Sequence, residues 1–374
     1  MSSIVQKPLY PLGGLTRRSV LALTAAAAAS QISPFNARAA AAVKLGYLNI
    51  NAMTSVYVPA ANPWSDKTLD IQFSKFQGGP TIIQAIQSGG LHAGELAASV
   101  AISLASRGIP IVCLLTCNHA TSTRPYNRMM VAKDSKIRSL GDLDGKTIGV
   151  LALGTLDHVE VLTLLKKADI DPRRVKIVPV PVPNQAQALA AGQVDAMMMP
   201  PPADSVAEMQ FGARMLADAT EGLPYYPVEV LVVDAAWAEA NTETVRALVS
   251  GWLTVGRWIE SNQAKARQAA RTTLGISAEL SDVMHLPRWC LNGLPVMPGM
   301  WNLYNTMVAN KLVDPSPDPA AMMKRYFIDP AMKYVIPALQ EIGRVDDKET
   351  DSLKSIPLPY LTEDLRNYSA PWEV

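Results

Sequence analysis

Two stretches of this 374-residue chain follow one pattern, and that repetition limits what the chain can fold into. "QAIQSGGLHAGELAAS" (84–99) and "QALAAGQVDAMMMPPP" (187–202) run in step. Gln84 matches Gln187, Ala85 matches Ala188, Ile86 matches Leu189, Gly89 matches Gly192, Leu91 matches Val194 and Ala93 matches Ala196. Each reads as a short helix that stops at a glycine and leads into a buried strand. A helix–strand unit written twice, about a hundred residues apart, predicts two α/β units of one design. In the second copy methionine fills the strand as adaptable packing, and Pro200 to Pro202 stop it.

The surrounding pattern alternates in the same way. "VKLGYLNI" (43–50), "LDIQFSKF" (69–76), residues 109–117 and "VEVLVVDAAW" (228–237) read as strands. "VKIVPVPV" reads as an edge strand, because Pro179 and Pro181 donate no ladder bonds. "PTIIQAIQSG" (80–89) reads as a helix with Pro80 in its first turn, and Asn184 is expected to cap "QAQALAAG". "TLDHVEVLTLLKKADI" is a helix with Thr155 as N-cap, acids near its positive end and Lys166 and Lys167 near its negative end. From Asn241 the chain turns helical, with Val245, Leu248, Val249 and Trp252 spaced to pack inward. The units meet at the polar stretch "TCNHATSTRPYN" and again near "EGLPYYPVEV". These two crossings predict one lobe from 43–120 plus 230–374 and a second from 128–225 inserted within it.

Residues 1–39 hold Lys7, Arg17, Arg18 and Arg38 and no acid. The Arg17–Arg18 pair precedes a short apolar run, and Ala37 and Ala39 supply a small-x-small cleavage pattern. These residues read as a twin-arginine export signal, and the run is too short to span a bilayer. Without them the chain carries 30 basic and 33 acidic side chains, which is no basis for nucleic-acid binding. Three cysteines make no disulfide framework; Cys113 and Cys117 read as small hydrophobes of one strand, and Cys290 stands alone. No nucleophile elbow, zinc-helix or Cys-x-x-Cys motif is present, and the four histidines are scattered. "GDLDGKT" (141–147) imitates a P-loop but precedes a strand instead of following one. Nothing in the chain calls for a cofactor or a metal.

"FQGGPTIIQAIQSGGLHAG", then "LGDLDGKTIGV", "GTLDH" and "QALAAGQVDAMMMPPP", resemble in order the signatures of periplasmic solute-binding proteins for aliphatic sulfonates, nitrate and taurine. The resemblance covers most of the chain beyond residue 39. It implies an α/β, two-lobed type II periplasmic-binding-protein fold, each lobe a mixed, mostly parallel sheet flanked by helices. It also implies an exported, monomeric receptor that hands a small organic solute (a sulfonate or other organic acid, or a heterocycle) to an ABC permease in the inner membrane. Three positions depart from the family pattern: His92 for Asp, Val100 for Pro, and Asp157 for a small hydroxylic residue. Enzymes similar to the family, a desulfinase and a fungal pyrimidine synthase, use a nucleophilic cysteine or a His–Cys cluster. An enzyme acting on a sulfur-containing or pyrimidine-type substrate is therefore the alternative, with Cys117 and His119 as its test residues.

Candidate ligand contacts follow from the implied cleft, each beside a plainer role. Gly78, Gly79 and Pro80, and Gly154 with Thr155, open helices whose N–H groups suit a polar ligand, or are ordinary strand-to-helix turns. Asn49 and Asn51 follow the first strand at its carboxyl end, Ser99 begins a helix, and Asn118 lies at a lobe crossing. Asp157 and Glu229 repel an anion and favour an amine, an amidine-like nitrogen or a hydrogen-bonding heterocycle if they face the cleft. Otherwise Asp157 complements the helix dipole. Met199, Pro200 and Pro201 offer an apolar wall and Tyr226, beside Tyr225, a stacking one; each is equally a packed turn or linker residue.

Overall fold

The two copies of the helix–strand pattern lie in different sheets. In this computed structural model, residues 41–66, 68–366 and 370–372 are described, so the expected export signal falls outside them. Eleven strands run in chain order among those residues. They are β1 (Ala41–Leu48), β2 (Leu69–Phe76), β3 (Ala93–Ala97), β4 (Ile111–Thr121), β5 (Arg128–Val131), β6 (Thr147–Val150), β7 (Lys176–Pro179), β8 (Ala196–Met199), β9 (Arg214–Asp218), β10 (Tyr225–Asp234) and β11 (Arg288–Trp289). The first sheet has the order β11-β4-β10-β3-β1-β2 and the second β7-β6-β8-β5-β9. The chain therefore changes sheet twice, between β4 and β5 and between β9 and β10.

Both sheets are mixed, but they are less parallel than expected. Four pairings are parallel and five antiparallel. The antiparallel ones all involve β4, β5 or β10, the strands next to the sheet changes, which return the chain without a helical crossover. Proline-bearing β7 does lie at an edge.

The repeat extends to pairing register. Leu45 and Gly46 of β1 face Ala93 and Gly94 of β3, while Ile148 and Gly149 of β6 face Ala196 and Met197 of β8. Every member of the second set lies 103 positions after its counterpart. Helices Gly79–Gln87 and Val182–Ala190 lead into β3 and β8. Both helices end ahead of a left-handed glycine, Gly89 at φ 75° and Gly192 at φ 69°. The next N–H, from Gly90 or Gln193, reaches back to Ala85 O at 2.8 Å or Ala188 O at 3.0 Å. His92 performs the task of its counterpart Asp195. Its Nδ1 accepts from Lys44 N at 3.2 Å, as Asp195 Oδ2 accepts from Thr147 N at 2.8 Å.

The methionine run has a simple explanation. β8 is buried on both faces, so Met197 and Met199 enter a small core with Met130 and Leu189, and Met198 enters the main core. Val245, Leu248, Val249 and Trp252 are buried as their spacing predicts.

Several boundaries differ from expectation. Asn184 does not cap its helix, which begins at Val182 behind Pro181, because Pro183 presets the first turn. β10 ends at Asp234, whose side chain accepts from Trp237 N and starts a helix. The helix from Asn241 is two helices, Thr242–Ser261 and Gln263–Leu274, parted at Asn262. β4 runs on to Thr121, so Asn118 and His119 are buried strand residues instead of a polar connection.

Candidate functional site

Counterpart residues of the two halves meet in one cavity. It is small, about 40 Å³, and is lined by Leu48 and Ala97 at the carboxyl ends of β1 and β3, and by Leu151 and Pro200 just past β6 and β8. Leu48 corresponds to Leu151 and Ala97 to Pro200 in the 103-residue step. Carboxyl ends of strands are where α/β sheets present ligand sites. Tyr126 and Asn127, from the connection between β4 and β5, close one side, and Gly79, Thr155, Asp157 and Glu229 complete the polar lining. A wider groove of about 420 Å³, open to solvent, adjoins at Leu48 and Ile50 and carries Asn49, Lys75, Gln77, Val182 and Pro202.

Each polar group has a structural origin. Glu229 sits where the β4/β10 ladder shifts register on both sides, a bulge of the kind that re-aims a side chain. Its N–H donates to Asn118 Oδ1 at 3.2 Å, and Asn118 Nδ2 donates to Ala52 O at 2.7 Å. Burial, then the nearby Glu95 carboxylate, pushes the Glu229 carboxyl well above its ordinary range. Asp157 is in the first turn of the helix Leu156–Lys167. Its carboxylate accepts from Leu151 N and Thr155 Oγ1, and burial outweighs those bonds, raising its pKa to about 6. Thr155 holds the N-cap position but does not cap with its side chain, which lies between Ala152 O and Asp157.

Behind the lining, Asn127 Nδ2 donates to Glu160 Oε2 at 2.7 Å, and burial raises the Glu160 pKa to about 8. Glu95, fully buried on β3, accepts from Ser55 N at 3.0 Å, from Ser55 Oγ at 2.7 Å and from Thr54 N. Three polar atoms of lining residues have no hydrogen-bond partner: Tyr126 Oη, Asn127 Oδ1 and Glu229 Oε2.

Of the fifteen sequence candidates, Gly79, Thr155, Asp157, Pro200 and Glu229 come together here, and Asn49 lines the outer groove. The others lie elsewhere. Gly78 is the N-cap of the helix that Pro80 enters, with Pro80 exposed. Asn51 is buried and donates to His285 O at 2.7 Å. Ser99 is the second residue of a helix capped from Ala97, so it caps nothing. Asn118 braces the backbone, and Gly154, at φ 83°, donates to His158 Nδ1 at 2.9 Å. Met199 and Pro201 are buried away from both cavities, and Tyr226 is a core residue beside Glu160 with no face to offer for stacking. Tyr126 takes that place. It was overlooked because "RPYN" reads as a polar connection, and only the meeting of the two sheets turns it inward.

The cysteines give catalysis little to work with. All three are free and buried. Cys290, not Cys117, meets His119, with Sγ 3.1 Å from Nδ1. Cys290 also lines a separate cavity beside Asn292, Arg344 and Asp347. Burial and Asp347 push the thiol up, while burial lowers the His119 pKa to about 3, so the pair stays a neutral thiol and imidazole. Among the described residues, no group of three or more His, Cys, Asp or Glu side chains is placed to hold a metal ion. No helix among them is long and apolar enough to cross a membrane.

The model of the NMT1-like family matches residues 36–274. The taurine-binding periplasmic protein of Escherichia coli K12 is 30% identical over 182 residues, 47% of this chain and 53% of that protein. The chain spans about half the length of the curated relatives it matches. Among solved structures, the periplasmic aliphatic sulphonate binding protein of Escherichia coli aligns with TM-score 0.61 at 19% identity, covering 76% of this chain and 92% of its own. The periplasmic nitrate-binding protein of Synechocystis PCC 6803 aligns with TM-score 0.69 at 12% identity, covering 81% and 89%. At these identities the alignments establish the fold, that of periplasmic binding proteins, and the relatives named are binding proteins.

Proposed function

The chain belongs to the NMT1-like family, and on that premise we propose that it is the exported receptor of an ABC importer, binding a small organic solute between its two sheets. One observation carries the reading: counterpart strand ends of two repeated halves converge on a single cavity with unpartnered polar atoms. In this reading lobes 43–120 plus 230–374 and 128–225 hinge at the two sheet changes. A solute shifts the equilibrium toward closure because it meets both lobes only when they are closed. The receptor works as a monomer in the periplasm, reached by the twin-arginine route through Arg17 and Arg18, and delivers its solute to a membrane permease. In this reading it binds without catalysis, which its named relatives support, and the buried His119–Cys290 pair, with no thiolate, speaks against the cysteine-dependent alternative.

Mass spectrometry of solute released from the purified, denatured protein tests the reading. The expected result is one small organic solute near one equivalent. The proposal falls if nothing is released and saturating sulfonates, carboxylates, amines and pyrimidine-like solutes all leave the melting temperature unchanged.

A further inference from the structure

We infer that the inner cavity takes a cationic, hydrogen-bond-donating head group, a protonated amine or amidinium, and not an oxyanion; this rests on the receptor reading above. The charge inventory is one-sided. Asp157 and Glu229 line the cavity, and no lysine, arginine or histidine does. Lys75 lines the outer groove instead. Two further carboxyl groups stand close behind, Glu160 bonded to Asn127 and Glu95 diagonal to Glu229 across the β3/β10 ladder. An anion entering here finds no positive partner and opposes ionisation of these carboxyls, whereas a cation draws them into their charged form.

The unpartnered atoms point the same way. Glu229 Oε2 and Asn127 Oδ1 are acceptors, and the Tyr126 hydroxyl can accept as well as donate. These three residues are 2–3% exposed. A ligand N–H satisfies each of these atoms, whereas a sulfonate oxygen is met only by hydroxyl hydrogens, those of Tyr126 and of a protonated Glu229.

Most donors an oxyanion would use are engaged. Helix N-termini are the usual anion sites of such folds. Here Glu95 takes the amides of Thr54 and Ser55 at the short helix after β1. Asp157 places its own carboxylate in the first turn of Leu156–Lys167 and takes Leu151 N. The helix at Gly79 has Pro80 next, which contributes no N–H. The protein has set its own carboxylates where an anionic ligand would sit. The raised carboxyl pKa values of Asp157 and Glu229 fit this, since a cation relieves the penalty that burial imposes on both charges.

Calorimetry and thermal melts of the full chain at pH 7.5 test the inference with four probes: 1,4-diaminobutane, agmatine, ethanesulfonate and propionate. At least one amine is expected to bind and raise the melting temperature, while neither anion does. Glu229→Gln should weaken that amine at least tenfold and leave the unliganded melting temperature unchanged or higher; Asp157→Asn serves if that variant fails to fold. Tighter binding of either anion than of both amines overturns the inference and leaves the receptor reading intact. So does amine affinity that stays within twofold in the variant. If no probe binds, the charge of the solute released on denaturation decides, a cation supporting the inference and an anion overturning it. If there is no such solute either, both proposals fall.

Discussion

The half of the chain around β1 and β3 and the half around β6 and β8 use one scaffold but stabilise it differently. Both set the same register, the same glycine stop and the same side-chain bond to a strand edge. The difference lies at Glu95 and its counterpart Met198. In the first half a buried carboxylate fastens the loop after β1, whereas in the second a thioether fills space and the loop is held from Asp157. The repeated backbone is thus held in one half by a buried acid and in the other by packing.

Exchanging those residues should break the comparison most strongly. Met198→Glu buries a carboxylate in the main core, and we expect a loss of about 3–5 kcal/mol. Glu95→Met strands two amides and a hydroxyl and should cost about 3 kcal/mol or more. Urea midpoints measure both: a loss below about 1 kcal/mol in Glu95→Met would show that the carboxylate does not fasten the first half, and one in Met198→Glu that the second half accommodates a buried acid.

A second contrast concerns the paired glycines. A Cβ on Gly46 would come within 2.7 Å of Leu91 Cδ1 and 3.1 Å of both Ile82 Cγ2 and Phe76 Cε2. On Gly149 it would meet the tip of Met197 at 2.4 Å, with Val180 further off at 3.4 Å. Methionine can swing aside and the three-sided wall cannot. Gly46→Ala should therefore cost about 1–3 kcal/mol and Gly149→Ala less than about 1 kcal/mol. The reverse order in a melting series would contradict this account.

The smallest effect lies at His92, which accepts from Lys44 N only while Nδ1 is unprotonated. Burial, and then Lys44, lowers its pKa. The unfolded chain therefore binds the proton more readily, and this contribution to stability is lost as pH falls below about 6.5. His92→Asp, the residue of the other half, keeps the bond but gives up stacking on Trp237 at 4.9 Å. It should cost less than about 1 kcal/mol at pH 7.5. The gap to the parent protein should narrow by pH 5; a gap that widens would rule out titration at His92.

The repeat, most strands and the approximate start of several helices were legible in the sequence because periodicity and glycine stops act over ten or so residues. The acids were only half legible. Asp157 and Glu229 stood out by position, but whether they faced a ligand depended on β10 pairing with β3 and β4 from more than a hundred residues away. Glu95, Tyr126, Asn127 and Glu160 gave no signal, since each gains its role from a partner brought in by tertiary packing. Asn118 and His119 misled for the opposite reason: polar residues resemble a connection until the strand that contains them is seen to continue.

The two passages between the sheets do not run separately. β4 and β10 lie side by side in one antiparallel ladder, from Ile111 opposite Asp234 to Thr121 opposite Tyr225, before each departs for the second sheet. Sliding that ladder by one residue would reverse every side chain it carries, so the two passages hold one register. In the receptor proposed above they would therefore turn about a single axis at Thr121 and Tyr225, with Glu229 four residues from it on the same strand.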